Sequence, residues 1–227
     1  MKAGSTSRRI ARPDRSDPHQ PLLDIAAAFL RERAGRAGLT VADEIEGLSR
    51  ARLRTLSARK EPAVAFLDPA LARGAAATAD LVGAVAALRG RLIWRRPEAA
   101  ALGWRVAGRV AWAEIVGPAA PVPSDRLRLG LHLQGPRTLY PWHAHAAEEL
   151  YVTLGGIAWW GRSGDWAARP DPPGAIRRHA ADEAHAIETR PDPLLALYVW
   201  WGAGAAAGAE GYRLHDPATE GFPERPA

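Results

Sequence analysis

The sequence predicts a mainly β protein whose strands form an antiparallel sandwich or barrel, such as a jelly roll, behind an α-helical N-terminal extension. Up to about residue 92, apolar side chains recur at helical spacing between charged ones. Beyond that point, six short apolar runs alternate with clusters of Gly, Pro, Ser and Asp. Short strands at such spacing are typical of sandwiches and barrels. The 227 residues suffice for one domain of this kind together with the extension.

The N-terminal part is predicted to contain three helices, at residues 21–36, 41–60 and 78–92. In the first of them the apolar positions run from Leu22 to Leu30, and Gly35 stands near its end. The predicted strands cover residues 110–116, 127–134, 150–154, 157–160, 184–188 and 194–201. The chain is therefore divided into a basic disordered lead (1–20), the helical extension (21–92), the barrel (93–213) and a Pro-rich tail (214–227).

Composition excludes several classes of site. The chain has no cysteine, so a disulfide, a thiolate metal site and a thiol nucleophile are all excluded. Residues 1–60 hold 13 Lys and Arg against seven Asp and Glu, and the rest of the chain is nearly neutral. Neither an apolar membrane span nor a secretory signal is recognisable, so we expect a cytoplasmic protein with no membrane partner.

A metal site is indicated by His143 and His145. On a strand, positions i and i+2 point to the same face, so both imidazoles can reach one ion. Glu149 follows after a short turn, and imidazole with carboxylate suits Zn²⁺, Fe²⁺, Mn²⁺ or Ni²⁺. Such a site keeps open positions for a substrate. The alternative is a pair of histidines on a surface strand, but the spacing to Glu149 and the following Gly155-Gly156 turn favour the metal.

A further histidine ligand is expected from a distant strand. The candidates are His132, His179, His185 and His215. His185 is favoured because it lies just before the apolar strand at residues 194–201. His179 is flanked by two arginines and is expected to be exposed, whereas His132 alternates with leucines and can face a pocket.

The run from residue 139 to residue 160 resembles the signature of the cupin-type dimethylsulfoniopropionate (DMSP) lyases, a branch of the cupin superfamily. Tyr-Pro precedes His-x-His in that signature, and Glu-x-Tyr follows it. The matching positions are Tyr140, Pro141, His143, His145, Glu149, Tyr151, Leu154, Gly156 and Trp160. The segment from His179 through His185 to Tyr198 is also similar to the second metal region of that family.

The resemblance implies a cupin barrel that cleaves DMSP by β-elimination, giving dimethyl sulfide and acrylate. The implied metal ligands are His143, His145, Glu149 and His185. A nearby divalent cation favours a phenolate, so a tyrosine can act as the general base. Tyr151, which shares a strand face with Glu149, is the first choice and Tyr140 the second. The sulfonium requires an aromatic wall. Candidates for the wall and pocket are Trp142, Trp160, Tyr198, Trp200 and His132, while Trp94, Trp104 and Trp112 are expected in the core.

Two alternatives remain at this point. One is another metal-dependent cupin enzyme, a dioxygenase or an isomerase, acting on a different small carboxylate. The other is a DNA-binding regulator with a cupin sensor domain, suggested by the basic front and a weak helix-turn-helix pattern in residues 37–53. The acidic side chains of that segment would repel phosphate, so we expect a small-molecule substrate and no nucleic acid. The sequence leaves a homodimer open.

Overall fold

The computed structural model describes residues 17–48, 53–57, 60–97, 106–207, 211–215 and 217–223. Most of the predicted basic lead, part of the predicted second helix, Trp104 and the last residues of the predicted tail lie outside these ranges. Within them the chain forms an N-terminal helical layer followed by two β-sheets. None of the helices in the described ranges has the length and apolar character that crossing a bilayer requires.

Four α-helices precede the sheets in the part of the chain that is described. They are α1 (Gln20–Arg33), α2 (Gly35–Glu46), α3 (Leu67–Leu71) and α4 (Ala79–Leu88), and single 3-10 turns at Pro62–Phe66 and Ala76–Thr78 lead into the last two. Helices α1 and α2 pack closely, since a Cβ atom at Gly38 would lie 2.0 Å from the carbonyl oxygen of Leu30. The Arg31 guanidinium, which pairs with Asp43 and Glu46, ties the two helices together at the surface.

Among the residues that the structure describes, the predicted helix at residues 41–60 is wrong beyond Glu46. Gly47 caps α2, and residues 53–57 lie against the barrel without helical structure. The Arg54 N–H donates to the carbonyl of Pro121 over 2.8 Å, so this segment uses its backbone hydrogen bonds on the barrel. Apolar residues at helical spacing predicted a helix here, but Leu56 instead lines the cavity of the barrel.

Eleven strands make up the two sheets within the described ranges. They are β1 (Val110–Gly117), β2 (Val122–Pro123), β3 (Leu127–Gln134), β4 (Leu139–Ala144), β5 (Glu148–Gly155), β6 (Trp159–Arg162), β7 (Asp165–Trp166), β8 (Ile176–His179), β9 (His185–Glu188), β10 (Leu194–Trp201) and β11 (Arg213–Leu214). One sheet has the order β2-β1-β3-β10-β5-β8 and the other β11-β4-β9-β6-β7. All neighbours are antiparallel except β1 and β2. The predicted fold class, mainly β with N-terminal helices, is confirmed.

The six-stranded sheet is buried on both faces. Alternate residues of its central strands, including Leu131, Val152 and Leu197, join the helices in one large apolar core. The intervening residues, including Tyr151 and Tyr198, face the barrel interior and pack in a smaller cluster with Trp160. Strand side chains alternate between the two faces of a sheet. One face of this sheet therefore packs against the helices, and the other lines the barrel interior, where the site lies.

The C-terminal segment closes one side of the five-stranded sheet. Strand β11 pairs with β4, where Leu214 lies opposite His143. A short helix, α5 (Pro217–Glu220), follows, and the ring of Phe222 stacks on Trp142 at a centroid distance of 4.8 Å. Much of the predicted tail is therefore packed against the barrel.

Candidate metal centre and cavity

The four predicted metal ligands converge inside the barrel. Strand β4 carries His143 and leads to His145, and β9 places His185 directly opposite His143. Glu149 enters from β5 in the other sheet. All four side chains are buried, with exposures of 3% or less.

Backbone carbonyls orient the three imidazoles. The Nδ1 atom of His143 lies 2.9 Å from the Pro141 carbonyl, and that of His185 lies 2.8 Å from the Glu183 carbonyl. His145 makes the same kind of contact over 3.1 Å. Since a carbonyl can only accept, each Nδ1 must carry the proton. Nδ1 is thereby engaged, so Nε2 is the nitrogen left to coordinate an ion, the arrangement usual for metal-bound histidines.

Glu149 is held at both carboxylate oxygens. Its Oε2 atom lies 3.2 Å from His145 Nε2 and 3.1 Å from His185 Nε2, while Oε1 accepts the indole N–H of Trp200 over 2.5 Å. Burial acts to raise the pKa of this carboxyl, but the adjacent imidazoles of His145 and His185 hold it well below its usual value. Glu149 is therefore a carboxylate.

The donor set fits a divalent transition metal. The ligand atoms of His143, His145 and His185 all lie within 4.8 Å of one another. The His185 Nε2 atom is buried and makes no hydrogen bond that satisfies ordinary geometry. Burial, followed by the neighbouring His185 and His145, lowers the pKa of His143 well below its usual value, so that its imidazole is neutral. Imidazoles beside one carboxylate are a borderline-soft donor set.

His179 corrects one expectation. It is fully buried rather than exposed, because β8 pairs with β5 and places it directly opposite Glu149. Its ring stacks on His185 with centroids 4.1 Å apart and an interplanar angle of 15°. The flanking arginines misled the sequence interpretation: Arg178 points outward to Glu148, and Arg177 pairs with Asp171.

A cavity of about 520 Å³ opens beside this cluster. Glu149 and His132 reach its wall, as do both predicted base candidates, Tyr140 and Tyr151. Burial raises the pKa of Tyr140 to about 12, although a hydrogen bond from Tyr212 opposes the shift. Burial and the Glu149 carboxylate raise the pKa of Tyr151 well above 10. Both phenols are thus neutral unless a positive charge lies nearby.

Tyr212 is a cavity residue that the sequence interpretation missed. Its hydroxyl donates to the Tyr140 hydroxyl over 2.9 Å, and its ring stacks on His143 at 5.0 Å and 17°. It lies just before β11, so the pairing of that strand with β4 brings it to the cavity. The preceding Gly- and Ala-rich segment carries no motif that could have indicated this position.

The cavity wall contains only part of the predicted aromatic set. Tyr198 and Trp200 line it, together with Trp112, which was expected in the core. Trp112 faces inward because β1 pairs with β3 so that Trp112 lies opposite His132. Trp112, like Tyr212, is thus a cavity residue that strand pairing reveals and the sequence alone does not.

Two predicted wall residues lie elsewhere. Trp142 points out of the barrel, where its ring contacts Trp166 and Phe222 at centroid distances of 5.6 and 4.8 Å. Its neighbour His143 faces inward, and alternation along β4 places the two on opposite faces. Trp160 is buried inside the barrel, between Tyr151 at 4.9 Å and His179 at 5.0 Å, and is not part of the cavity lining.

The sequence profile of the dimethylsulfoniopropionate lyase family matches residues 45–196. The chain belongs to this family. The match spans the site strands from β1 to the start of β10, so all four candidate ligands and both candidate bases lie within it. The resemblance inferred from the sequence is confirmed.

Individual members of the DMSP lyase family show the same likeness. DddL of Cereibacter sphaeroides is 32% identical over 165 residues, which cover 69% of this chain and 66% of DddL. The dimethylsulfoniopropionate lyase DddQ of Ruegeria pomeroyi is 33% identical over 88 residues, or 39% of this chain and 43% of DddQ. The match thus spans slightly less than two thirds of one curated relative and under half of the other.

Solved DMSP lyase structures share the fold over nearly the whole chain. The crystal structure of DddQ from Ruegeria pomeroyi superposes with a TM-score of 0.70 at 25% identity, covering 90% of this chain and all of that one. A chain from the crystal structures of the DMSP lyases RdDddP and RnDddQII gives a TM-score of 0.68 at 26% identity, covering 88% and 98%. The family therefore has the helical layer and barrel in common with this chain.

Proposed function

We propose that this protein is a metal-dependent lyase that cleaves dimethylsulfoniopropionate into dimethyl sulfide and acrylate. The observation that carries the proposal is the position of Tyr151 and Tyr140 in an aromatic-lined cavity, next to Glu149 of the histidine cluster. Membership of the DMSP lyase family supports the same reaction.

The proposed metal ligands are His143, His145, Glu149 and His185, and the candidate ions are Fe²⁺, Zn²⁺, Mn²⁺ and Ni²⁺. When bound, such an ion would coordinate the substrate carboxylate and stabilise the negative charge that develops on the adjacent carbon. The carbonyl contacts at each Nδ1 fix the orientation of the imidazoles before any ion arrives.

The proposed base is Tyr151, with Tyr140 as the second choice. In the β-elimination, the phenolate removes a proton from the carbon next to the carboxylate. The electron pair of that C–H bond forms the new C=C bond, and the C–S bond breaks with its pair remaining on sulfur. Tyr151 lies two residues after Glu149 on the same face of β5, so the base and a ligand share one strand.

The proposed sulfonium wall consists of Trp112, Tyr198 and Trp200. A sulfonium has no classical hydrogen bond to donate, so ring faces are the suitable partner. Cation–π attraction in a desolvated pocket contributes about 2 kcal/mol. The wall and the metal cluster lie at the same cavity, which suits a substrate with a cation at one end and a carboxylate at the other.

The proposal is tested by loading the purified protein with each of the four ions in turn and adding DMSP. We expect dimethyl sulfide in the headspace by gas chromatography and an equal amount of acrylate in solution by liquid chromatography. Trp142→Phe, outside the cavity, serves as the matched control and should retain turnover. If no ion supports dimethyl sulfide release, the lyase proposal is wrong while the fold assignment stands.

A further inference from the structure

His132 is held on β3 by a buried glutamine. Its Nε2 atom lies 3.0 Å from Oε1 of Gln134, two residues further along the same strand. The amide nitrogen of Gln134 donates to the backbone carbonyls of Thr138 and Ile187, over 2.7 and 3.3 Å. Gln134 has no exposed surface. The glutamine therefore connects His132 to the backbone of the five-stranded sheet, which contains Ile187 in β9.

These contacts determine which ring nitrogen of His132 carries the proton. Backbone carbonyls only accept hydrogen bonds, so the amide nitrogen of Gln134 must face them and its oxygen must face the imidazole. An amide oxygen also only accepts, so the proton lies on Nε2. Burial lowers the pKa of His132, so the ring is neutral. The Nδ1 atom of His132 therefore keeps its lone pair.

This lone pair belongs to the cavity and not to the core. His132 forms part of the cavity wall and is 5% exposed, and its Nδ1 atom has no hydrogen-bond partner among the described residues. The ring lies edge-to-face against Tyr140 and Tyr151, with centroids 5.5 and 5.9 Å away and interplanar angles of 86° and 87°. The acceptor nitrogen is thus on the side chain that contacts both candidate bases.

The chemistry of the cavity limits what can donate to Nδ1. DMSP has a carboxylate and a sulfonium but no N–H or O–H group, so the substrate itself is not the donor. Tyr140 and Tyr151, whose rings contact His132, both carry a hydroxyl. The Tyr140 oxygen accepts from Tyr212 over 2.9 Å, and this contact does not use the proton of Tyr140. Folded proteins rarely keep such an acceptor nearly buried without a partner.

We propose that Nδ1 of His132 accepts a hydrogen bond from the hydroxyl of the base tyrosine, directly or through one water, and so positions that hydroxyl. A hydroxyl that directs its proton to His132 turns its oxygen lone pairs towards the substrate carbon that loses the proton. His132 acts through the tyrosine and is therefore a positioning residue. The inference rests on the proposed tyrosine base, but not on whether the base is Tyr151 or Tyr140.

Two substitutions separate the two nitrogens of His132. His132→Asn keeps an acceptor oxygen near the Nδ1 position and loses the contact with Gln134. His132→Gln keeps a donor near the Nε2 position and loses the acceptor on the cavity side. With metal-loaded protein and DMSP, we expect the Gln variant to lose about 100-fold in kcat, with little change in KM, and the Asn variant to lose less than about tenfold. The opposite order would overturn the inference, because it would mean that His132 serves only to hold Gln134.

A nitrogen NMR experiment tests the same contact without turnover. In Zn²⁺-loaded protein with ¹⁵N-labelled histidine, the His132 signals are those lost in either His132 variant. We expect the Nδ1 signal to be that of an unprotonated nitrogen and to shift when Tyr140→Phe or Tyr151→Phe removes the donor. Tyr198→Phe is the matched control, since Tyr198 lines the same cavity but its ring contacts Tyr151 and Trp200. A shift in either of the first two variants and not in the control supports the inference and identifies the tyrosine.

The outcomes separate this inference from the lyase proposal. If the wild type releases dimethyl sulfide and both His132 variants turn over as fast as the wild type, the inference is wrong and the lyase stands. If the wild type releases none with any ion, the lyase proposal is wrong, and the nitrogen spectrum alone decides whether His132 binds a tyrosine hydroxyl. A proton on Nδ1, or a signal unchanged in both tyrosine variants, would overturn the inference in either case.

Discussion

Trp200 donates its indole N–H to Glu149 Oε1 over 2.5 Å, from the position directly opposite Glu149 in the β10–β5 pairing. The other carboxylate oxygen faces His145 and His185. One oxygen of Glu149 is thus fixed by the indole while the other is directed at the imidazoles. Trp200 also lines the cavity, so the same side chain orients a ligand and offers a ring face.

Replacing Trp200 with Phe should weaken metal binding. The variant keeps a ring at the cavity wall but loses the N–H that orients Glu149, and loss of such an outer contact typically reduces metal affinity by about 10- to 100-fold. Chelator competition measures the change. Trp94→Phe removes a buried indole N–H that has no partner among the described residues, so its metal affinity should equal that of the wild type. Equal affinity for the Trp200 variant would argue against Glu149 as a ligand.

Tyr151→Phe should abolish most turnover while metal binding is retained. Removal of a general base typically lowers the rate by about 10² to 10⁴. The measurement combines dimethyl sulfide release with metal content of the same sample. Tyr140→Phe provides the comparison, since its hydroxyl accepts from Tyr212 and lies in the same cavity. If Tyr151→Phe keeps its turnover and Tyr140→Phe loses it, the base is Tyr140.

The rate of the metal-loaded protein should rise with pH. The base acts as the phenolate, and burial with the Glu149 charge raises the pKa of Tyr151 well above 10. A bound divalent cation lowers that pKa again, so the rising limb should shift between ions according to how strongly each lowers it. Steady-state rates across the alkaline range with two different ions measure this. A rate that falls over the same range would contradict a phenolate base.

Trp112→Leu should reduce binding of a sulfonium more than binding of its neutral analogue. Loss of about 2 kcal/mol of cation–π attraction corresponds to about a 30-fold weaker DMSP interaction. The analogue 4-methylpentanoate has the same shape with carbon in place of sulfur, so its affinity should change little. Trp142→Leu, outside the cavity, is the matched control. Equal losses for both ligands would make Trp112 a shape-filling residue only.

The sequence was sufficient for what depends on local spacing. His143 lies on β4 and His145 just beyond its end, and Glu149 and Tyr151 lie near the start of β5, so the common face of each pair could be read from alternation alone. The structure places all four where that alternation requires. Strands β1, β3, β5, β6, β9 and β10 were likewise predictable, because their apolar runs are short and bounded by turn residues.

What depends on strand pairing could not be predicted. His179 is buried only because β8 pairs with β5 at that register, and Trp112 faces the cavity because of its position opposite His132. Trp142 was expected in the wall, yet a C-terminal segment without a recognisable pattern supplies Phe222 to cover it outside the barrel. Single-sequence periodicity contains no information about which strand lies beside which.

Glu183 supports the turn that precedes His185, and its replacement should cost stability in a pH-dependent way. Burial acts to raise the pKa of this carboxyl, but hydrogen bonds from the side chains of Arg162 and Ser163 and from the Ala180 N–H lower it to about 2. Its own carbonyl accepts from His185 Nδ1. The carboxylate therefore stabilises the segment that positions a ligand.

The sign of the pH effect follows from that lowered pKa. Between about pH 4.5 and about pH 2 the unfolded chain binds a proton that the folded one does not, so the stabilisation is present above that window and lost as pH falls through it. Glu183→Gln should lower the free energy of unfolding by about 1 to 2 kcal/mol at neutral pH, allowing for solvent screening, and by less at about pH 3.5. Urea unfolding of the metal-free protein measures the free energy of unfolding at both pH values.

Glu148→Gln is the control: it breaks the exposed pair with Arg178 and should cost under about 0.5 kcal/mol at either pH. A Glu183 penalty that does not shrink on acidification would mean that packing, rather than charge, stabilises this turn.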